Sequence, residues 1–264
     1  MEFTKEKLIG GAVQRDFALE VDGTRVPCVI WAAQGADAAP VLILMGHGGS
    51  QHKKTANIRA RAVEYAERFG WATLAIDAPG HGDRISRDDA AKLAGTIGPL
   101  VLGQRDAPPM DAERVKEMFK GWGKAPPEWK AALDAALSME CIASDASVGY
   151  WGVSMGTAIG VPFVASEPRI RCAVFGLAGA RPNAPDFLES AKNIQIPVEF
   201  VFQWDDAVAP RDHGIALFDA FGTKEKTMHI NPGGHMEIPT FESDAWLSFF
   251  QRHLAQAEPA QKSA

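Results

Sequence analysis

Val148-Gly149-Tyr150-Trp151-Gly152-Val153-Ser154-Met155-Gly156 is an apolar run of strand formers that ends on Gly-x-Ser-x-Gly. The small-residue run behind it, Thr157-Ala158-Ile159-Gly160-Val161-Pro162-Phe163-Val164-Ala165, is compatible with a helix. A serine on a sharp strand-to-helix turn must clear the backbone on both sides. Gly152 and Gly156 give that room because they lack a Cβ. The pattern is that of a nucleophile elbow, with Oγ at the end of the strand and a helix N-terminus beneath it. Gly-x-Ser-x-Gly alone is weak evidence, so its weight rests on the rest of the chain.

Upstream, Val41-Leu42-Ile43-Leu44-Met45 reads as a strand buried on both faces and runs into Gly46-His47-Gly48-Gly49-Ser50. A helix is expected over 55–69, with Ile58, Ala62, Tyr65 and Ala66 at helical spacing and Gly70 behind it. Residues 71–76 form the next strand and lead into Asp77-Ala78-Pro79-Gly80-His81-Gly82-Asp83-Arg84. Strand, helix and strand in alternation imply right-handed crossovers and a parallel sheet. Ahead of these, 15–21 and 26–32 pair as a hairpin about Asp22-Gly23.

Residues 85–126 break the rhythm with short helical fragments and the Ala107-Pro108-Pro109 turn, which suggests a cap inserted over the sheet. A helix over 128–142 returns the chain to the elbow strand. Strands follow at 170–176, 197–202 and 226–230, with a loop after the first and a helix near 212–221 between the last two. A closing helix at about 240–255 carries Phe241, Trp246, Phe249 and Phe250, and 256–264 reads as a frayed tail. The expectation is one α/β domain over 1–264, with the cap insertion at 85–126 inside it.

Bulk properties narrow the function. The chain has 264 residues, 46% of them hydrophobic, and a formal net charge of −6 with Lys and Arg scattered. That balance argues against nucleic acid or a polybasic membrane contact as partner. No run reaches the length of a membrane span, and no apolar leader follows Met1. Cys28, Cys141 and Cys172 are widely spaced and read as small buried hydrophobes in a reducing compartment, so a cytoplasmic location is expected.

An acyl-transfer serine needs a base, and the base needs an orienting carboxylate. His235 lies after the last strand, directly behind Gly233-Gly234, and Asp205-Asp206 follow strand 197–202. The chain order Ser…Asp…His distinguishes this arrangement from two other serine-hydrolase architectures. The tetrahedral oxyanion needs N–H donors. Met155 is expected to supply one from the helix N-terminus, and His47 the other from its backbone, with Gly48 as the alternative. His81, Asp83 and Arg84 are expected to fix their own loop. His47 and His52 have no ligand set around them, and His213, His229 and His253 read as surface or packing residues, so no metal and no cofactor is expected. Met110, Met118, Phe119, Trp122 and Trp129 either pack the cap or line a pocket.

Taken together, Met45-Gly46-His47-Gly48-Gly49, Asp77 through Arg84, the elbow, Asp206 through Pro210 and Gly233-Gly234-His235 resemble the α/β-hydrolase superfamily. The resemblance is to its dienelactone-hydrolase-like and prolyl-oligopeptidase-like serine esterases. It implies a mostly parallel eight-stranded sheet with an antiparallel edge. It also favours Asp206 over Asp205, since the late-strand loop of the family commonly reads Asp-x-x-Val-Pro, although Val208 stands one place early. Met45 replaces the histidine usual before that glycine. Dienelactone hydrolases themselves use a cysteine where this chain has Ser154. The implied activity is hydrolysis of a small-molecule carboxylic ester through an acyl-enzyme on Ser154. The same machinery would serve a thioester, lactone, peptide or C–C bond, and a non-catalytic binding protein on this fold is the rival class. A homo-oligomer stays open.

Overall fold

Asp22 and Gly23 both take positive φ, 49° and 71°, the geometry a two-residue hairpin turn requires. They join β2 (Ala12–Val21) to β3 (Thr24–Ala33), paired antiparallel from Val21↔Thr24 to Ala12↔Ala33. This computed structural model describes residues 2–103, 121–180 and 185–255. Ahead of the hairpin, β1 (Lys5–Ile9) adds an antiparallel edge strand. It brings the sheet to nine strands, one beyond the expected eight. Its pattern KEKLI carries too few apolar residues to read as a strand, and as an edge its charges discourage further pairing.

The parallel part comprises β4 (Ala39–Gly46), β5 (Ala72–Ile76), β6 (Ile142–Val153), β7 (Ile170–Gly176), β8 (Val198–Gln203) and β9 (Lys226–Asn231). The sheet order is β1-β2-β3-β5-β4-β6-β7-β8-β9. Chain order therefore reverses at β4: β5 lies on one side of it and β6 on the other. The loops leaving β4 and β6 part at such a switch point and open a crevice beyond the carboxyl ends of the strands.

Helices cover both faces. On one face α1 (Ala56–Phe69) and the last helix pack over Trp31, Ile43, Met45, Trp151 and Val201. On the other lie the helix Ala125–Leu137, the elbow helix Met155–Ser166 and the helices Pro185–Lys192 and Arg211–Ala220, over Leu42, Leu44, Tyr150, Phe175 and Phe200. After β5 and before them the chain forms α2 (Arg87–Val101), so these four become α3, α4, α5 and α6, and Glu242–Leu254 becomes α7. Alternate residues of a strand point to opposite faces, which is why Tyr150 and Trp151 belong to different cores.

Three expected boundaries shift. The helix expected at 128–142 runs Ala125–Leu137, because Pro126 and Pro127 fit a first turn whose N–H groups need no intrahelical partner. Residues 138–141 turn into β6, which begins at Ile142 and is twelve residues long. Where fragments were expected, α2 is a continuous fifteen-residue helix capped by Ser86, whose Oγ accepts from Asp89 N–H at 3.1 Å. Gly95, Gly98 and Pro99 obscured its periodicity. The segment between β7 and β8, read as loop, contains α5. Of the cap residues singled out from sequence, Met110, Met118 and Phe119 lie outside the described residues, as does the tail 256–264. Among the described residues no helix is long and apolar enough to cross a membrane.

Candidate active site

Ser154 sits between β6 and α4 with φ 57° and ψ −117°, a backbone conformation an L-residue adopts only under constraint. The constraint is the close approach of α4 to the sheet. A Cβ on Gly156 would lie 2.5 Å from Gly46 O, and one on Gly152 would lie 2.8 Å from Gly156 O. Tyr150 Oη donates to Gly156 O at 2.7 Å, and Thr157 Oγ1 lies 2.8 Å from Gly152 O and 2.7 Å from Gly176 O. The elbow is thus held by β4, β6, β7 and α4 together.

His235, in the loop after β9, is buried, with Nε2 2.9 Å from Ser154 Oγ. Its Nδ1 lies 2.7 Å from Asp206 Oδ2. The other oxygen of Asp206 accepts from Val208 N–H at 2.8 Å and Ala209 N–H at 2.9 Å. These bonds fix the carboxylate, so Nδ1–H donates to it and Nε2 faces the serine as acceptor. Asp205 is exposed and plays a different part. Its N–H donates to Gly233 O at 3.0 Å and its Oδ2 accepts from Gly233 N–H at 3.4 Å, which ties the loop after β8 to the loop carrying His235.

The loop after β4 supplies the opposite wall. Gly48 N–H donates to Gln51 Oε1 at 3.2 Å, whereas the N–H groups of His47 and Met155 make no hydrogen bond among the described residues. The imidazole of His47 is an anchor. Its Nε2 accepts from Ala78 N–H at 3.0 Å, which requires the neutral ring, and Nδ1–H donates to Gly48 O at 2.9 Å. Burial pushes its pKa down to about 4.

His81, Asp83 and Arg84 lie where the sequence placed them, in a loop that packs beside His47. Sequence reading did not find their partners. Lys53, buried, donates from Nζ to both Asp77 Oδ2 and Asp83 Oδ2 at 2.6 Å. Arg84 forms a two-pronged pair with Glu128 of α3 at 2.7 and 2.8 Å. His81 Nδ1–H donates to Pro79 O at 2.9 Å, and burial lowers its pKa. Lys53 and Glu128 lie 30 and 44 residues from Asp83 and Arg84, too far for a local pattern to reveal the pairs.

Beside Ser154 opens a cavity of about 360 Å³. Gly49, Ile97, Trp122, Trp151, Val208 and Trp246 are among its apolar and backbone walls, with Arg61 and His235 as its ionisable groups among the described residues. Trp122 therefore faces the cavity, while Trp129 packs in the core against Tyr150 and Phe163.

Solved structures of other proteins share this fold. A cold-adapted esterase from an Arctic intertidal metagenomic library, in a complex with PEG, is 33% identical over 96% of this chain and 100% of its own, with a TM-score of 0.78. This chain belongs to the esterases of the α/β-hydrolase superfamily. At the level of fold the hydrolase also resembles an acetyl xylan esterase from a Paenibacillus species, with 17% identity over 96% and 88% of the two chains and a TM-score of 0.69. A dienelactone hydrolase from Anabaena variabilis matches with 18% identity over 92% and 99% and a TM-score of 0.63. No family model and no curated relative matches the chain.

Elsewhere in the hydrolase, one histidine read as a packing residue has acidic company. His229 Nδ1 lies 2.9 Å from Glu242 Oε2, and Asn231 Nδ2 donates to Glu242 Oε1 at 2.7 Å. Glu199 completes a group with metal-ligand spacing. Both oxygens of Glu242 are already bonded, and burial raises the pKa of Glu199 more than nearby His229 lowers it. Glu242 thus clasps α7 onto β9 by hydrogen bonds, with Glu199 of β8 beside it. His213 and His253 are half-buried, and Cys28, Cys141 and Cys172 are free, with Cys141 only half-buried.

Proposed function

We propose that this serine esterase cleaves small-molecule carboxylic esters with Ser154 as nucleophile, His235 as general base and then acid, and Asp206 as the carboxylate that orients the imidazole. The observation that carries the reading is the unbroken chain Asp206–His235–Ser154, which ends at a largely apolar cavity. Ser154 Oγ attacks the ester carbonyl as its proton passes to His235 Nε2. The imidazolium then protonates the departing alcohol, and water repeats the sequence to release the acid. The unengaged N–H groups of His47 and Met155 support them as oxyanion donors, and each such donor is worth about 2.7–4 kcal/mol in the transition state. Gly48 is less suited because Gln51 holds its N–H.

We assign α2 and the insertion it begins to a cap, since Ile97, Leu100 and Val101 line the cavity. A cytoplasmic location is supported by three cysteines, all free. The test is Ser154→Ala: hydrolysis of p-nitrophenyl acetate and labelling by a fluorophosphonate probe should both disappear, with an unchanged circular dichroism spectrum. Undiminished turnover would overturn the assignment.

A further inference from the structure

Beside Ser154 the cavity wall holds a cation that the fold does not pair. Arg61, half-buried on α1, rests its guanidinium against two tryptophans that touch edge to face, with Cζ 4.4 Å from the ring centre of Trp151 and 4.7 Å from that of Trp246. All three side chains line the cavity that contains Ser154 and His235. The other well-buried cations of the described structure have carboxylates: Lys53 has Asp77 and Asp83, and Arg84 has Glu128. Among the described residues Arg61 has none within ion-pair distance.

Its hydrogen bonds are weak as well. Nη1 reaches Asn57 O and Nη2 reaches Ser243 Oγ, each at 3.4 Å. Arg61 Nε, Trp151 Nε1 and Trp246 Nε1 are all buried without a hydrogen-bond partner. Three contacting residues thus carry a buried N–H donor without an acceptor, Nε of the guanidinium among them, and no carboxylate lies among the described residues of the cavity wall. Burial lowers the pKa of Arg61 from its usual value, a sign that its surroundings do not compensate its charge. Buried donors are ordinarily satisfied. A planar fork of donors matches a carboxylate best.

We infer that Arg61, flanked by Trp151 and Trp246, is a specificity residue that receives a carboxylate of the substrate, so that the preferred esters are monoesters of dicarboxylic acids. The inference rests on the ester hydrolysis proposed above and names its substrate class. The competing role is purely structural, a cationic pin between α1, β6 and α7 held by the two aromatic faces. A pin would not distinguish charged from neutral esters.

The test compares p-nitrophenyl monoesters of glutaric, adipic and suberic acids with p-nitrophenyl alkanoates of matched length, in wild type and Arg61→Met. Wild type should favour the acidic ester by about tenfold or more in kcat/KM at one of these lengths, mainly through KM, and R61M should bring that ratio to about one or below. Preference for the neutral ester at every length, or a ratio that R61M leaves unchanged, overturns the inference. Binding is read separately by tryptophan fluorescence in Ser154→Ala, with monomethyl adipate and dimethyl adipate as probes. Tighter binding of the monoanion that R61M abolishes supports the anion subsite even if no ester is turned over, in which case only the hydrolytic reading fails. Equal binding of the two probes overturns the subsite while leaving hydrolysis of neutral esters intact. Should R61M not fold, the wild-type ratio and the two-probe comparison decide alone.

Discussion

At the scale of single residues, two aspartates stand side by side in sequence and do different work. Asp206 is fully buried, with one oxygen on His235 and the other on two backbone N–H groups, whereas exposed Asp205 ties two loops together. Replacement of Asp206 by Asn should lower kcat by roughly four orders of magnitude, because the imidazole would settle in the wrong tautomer. Asp205→Asn should lower it by less than about tenfold. Steady-state kinetics on p-nitrophenyl acetate separate the two, and similar losses in both would contradict the assignment. His47 gives a pH prediction. Its ring is held neutral in the fold with a pKa of about 4, below the value near 6.5 of an exposed histidine. The unfolded chain therefore takes up its proton first as pH falls. The stabilisation is fully present above about pH 6.5 and is lost progressively toward pH 4. Melting temperatures across that range should fall more steeply in wild type than in His47→Gln, and parallel curves would show that His47 contributes nothing to acid sensitivity.

Between elements, the site depends on ties that cross long stretches of chain. Arg84, after β5, is joined to Glu128 of α3 by a two-pronged ion pair with little solvent access, and it also donates to Asp77 O at 3.2 Å. The same loop hydrogen-bonds His47 through Ala78 N–H. Loss of one member of a buried pair leaves the other charge uncompensated, at a cost of about 3–5 kcal/mol. Glu128→Ala should lower the urea midpoint accordingly, and the joint variant with Arg84→Met should recover part of that loss. A midpoint within error of wild type would mean that solvent already screens the pair. The elements themselves were legible from sequence where periodicity is strong: α1, the hairpin and β7 lie at or within a few residues of their expected positions. They were illegible where glycine and proline interrupt the periodicity of a helix that buries no residue fully, as at Gly95, Gly98 and Pro99 in α2, or where an edge strand has no face to bury, as in β1.

For the whole molecule, the reversal of chain order at β4 places the cavity, and α2 closes part of it from above. At about 360 Å³ the cavity is at the small end of ligand sites. Hydrolysis of p-nitrophenyl alkanoates should peak at short chains, with kcat/KM for the palmitate at least about tenfold below that for the butyrate. A preference for palmitate would mean that the cap opens a longer channel. The sequence by itself determined the parallel α/β architecture and singled out Ser154 and His235 as candidates, because hydrophobic periodicity and turn chemistry are local and each of these residues follows a recognisable strand. It left Asp205 and Asp206 to be separated by the family's loop pattern alone. Only the tertiary structure decided which carboxylate reaches the imidazole, since neighbours in a loop point in different directions once its backbone is fixed. It alone brought Arg61 to Trp151 and Trp246, residues from α1, β6 and α7 whose meeting depends on packing across a face of the sheet. The elbow around Ser154 was written in nine consecutive residues; the charge that faces its cavity was written nowhere contiguous.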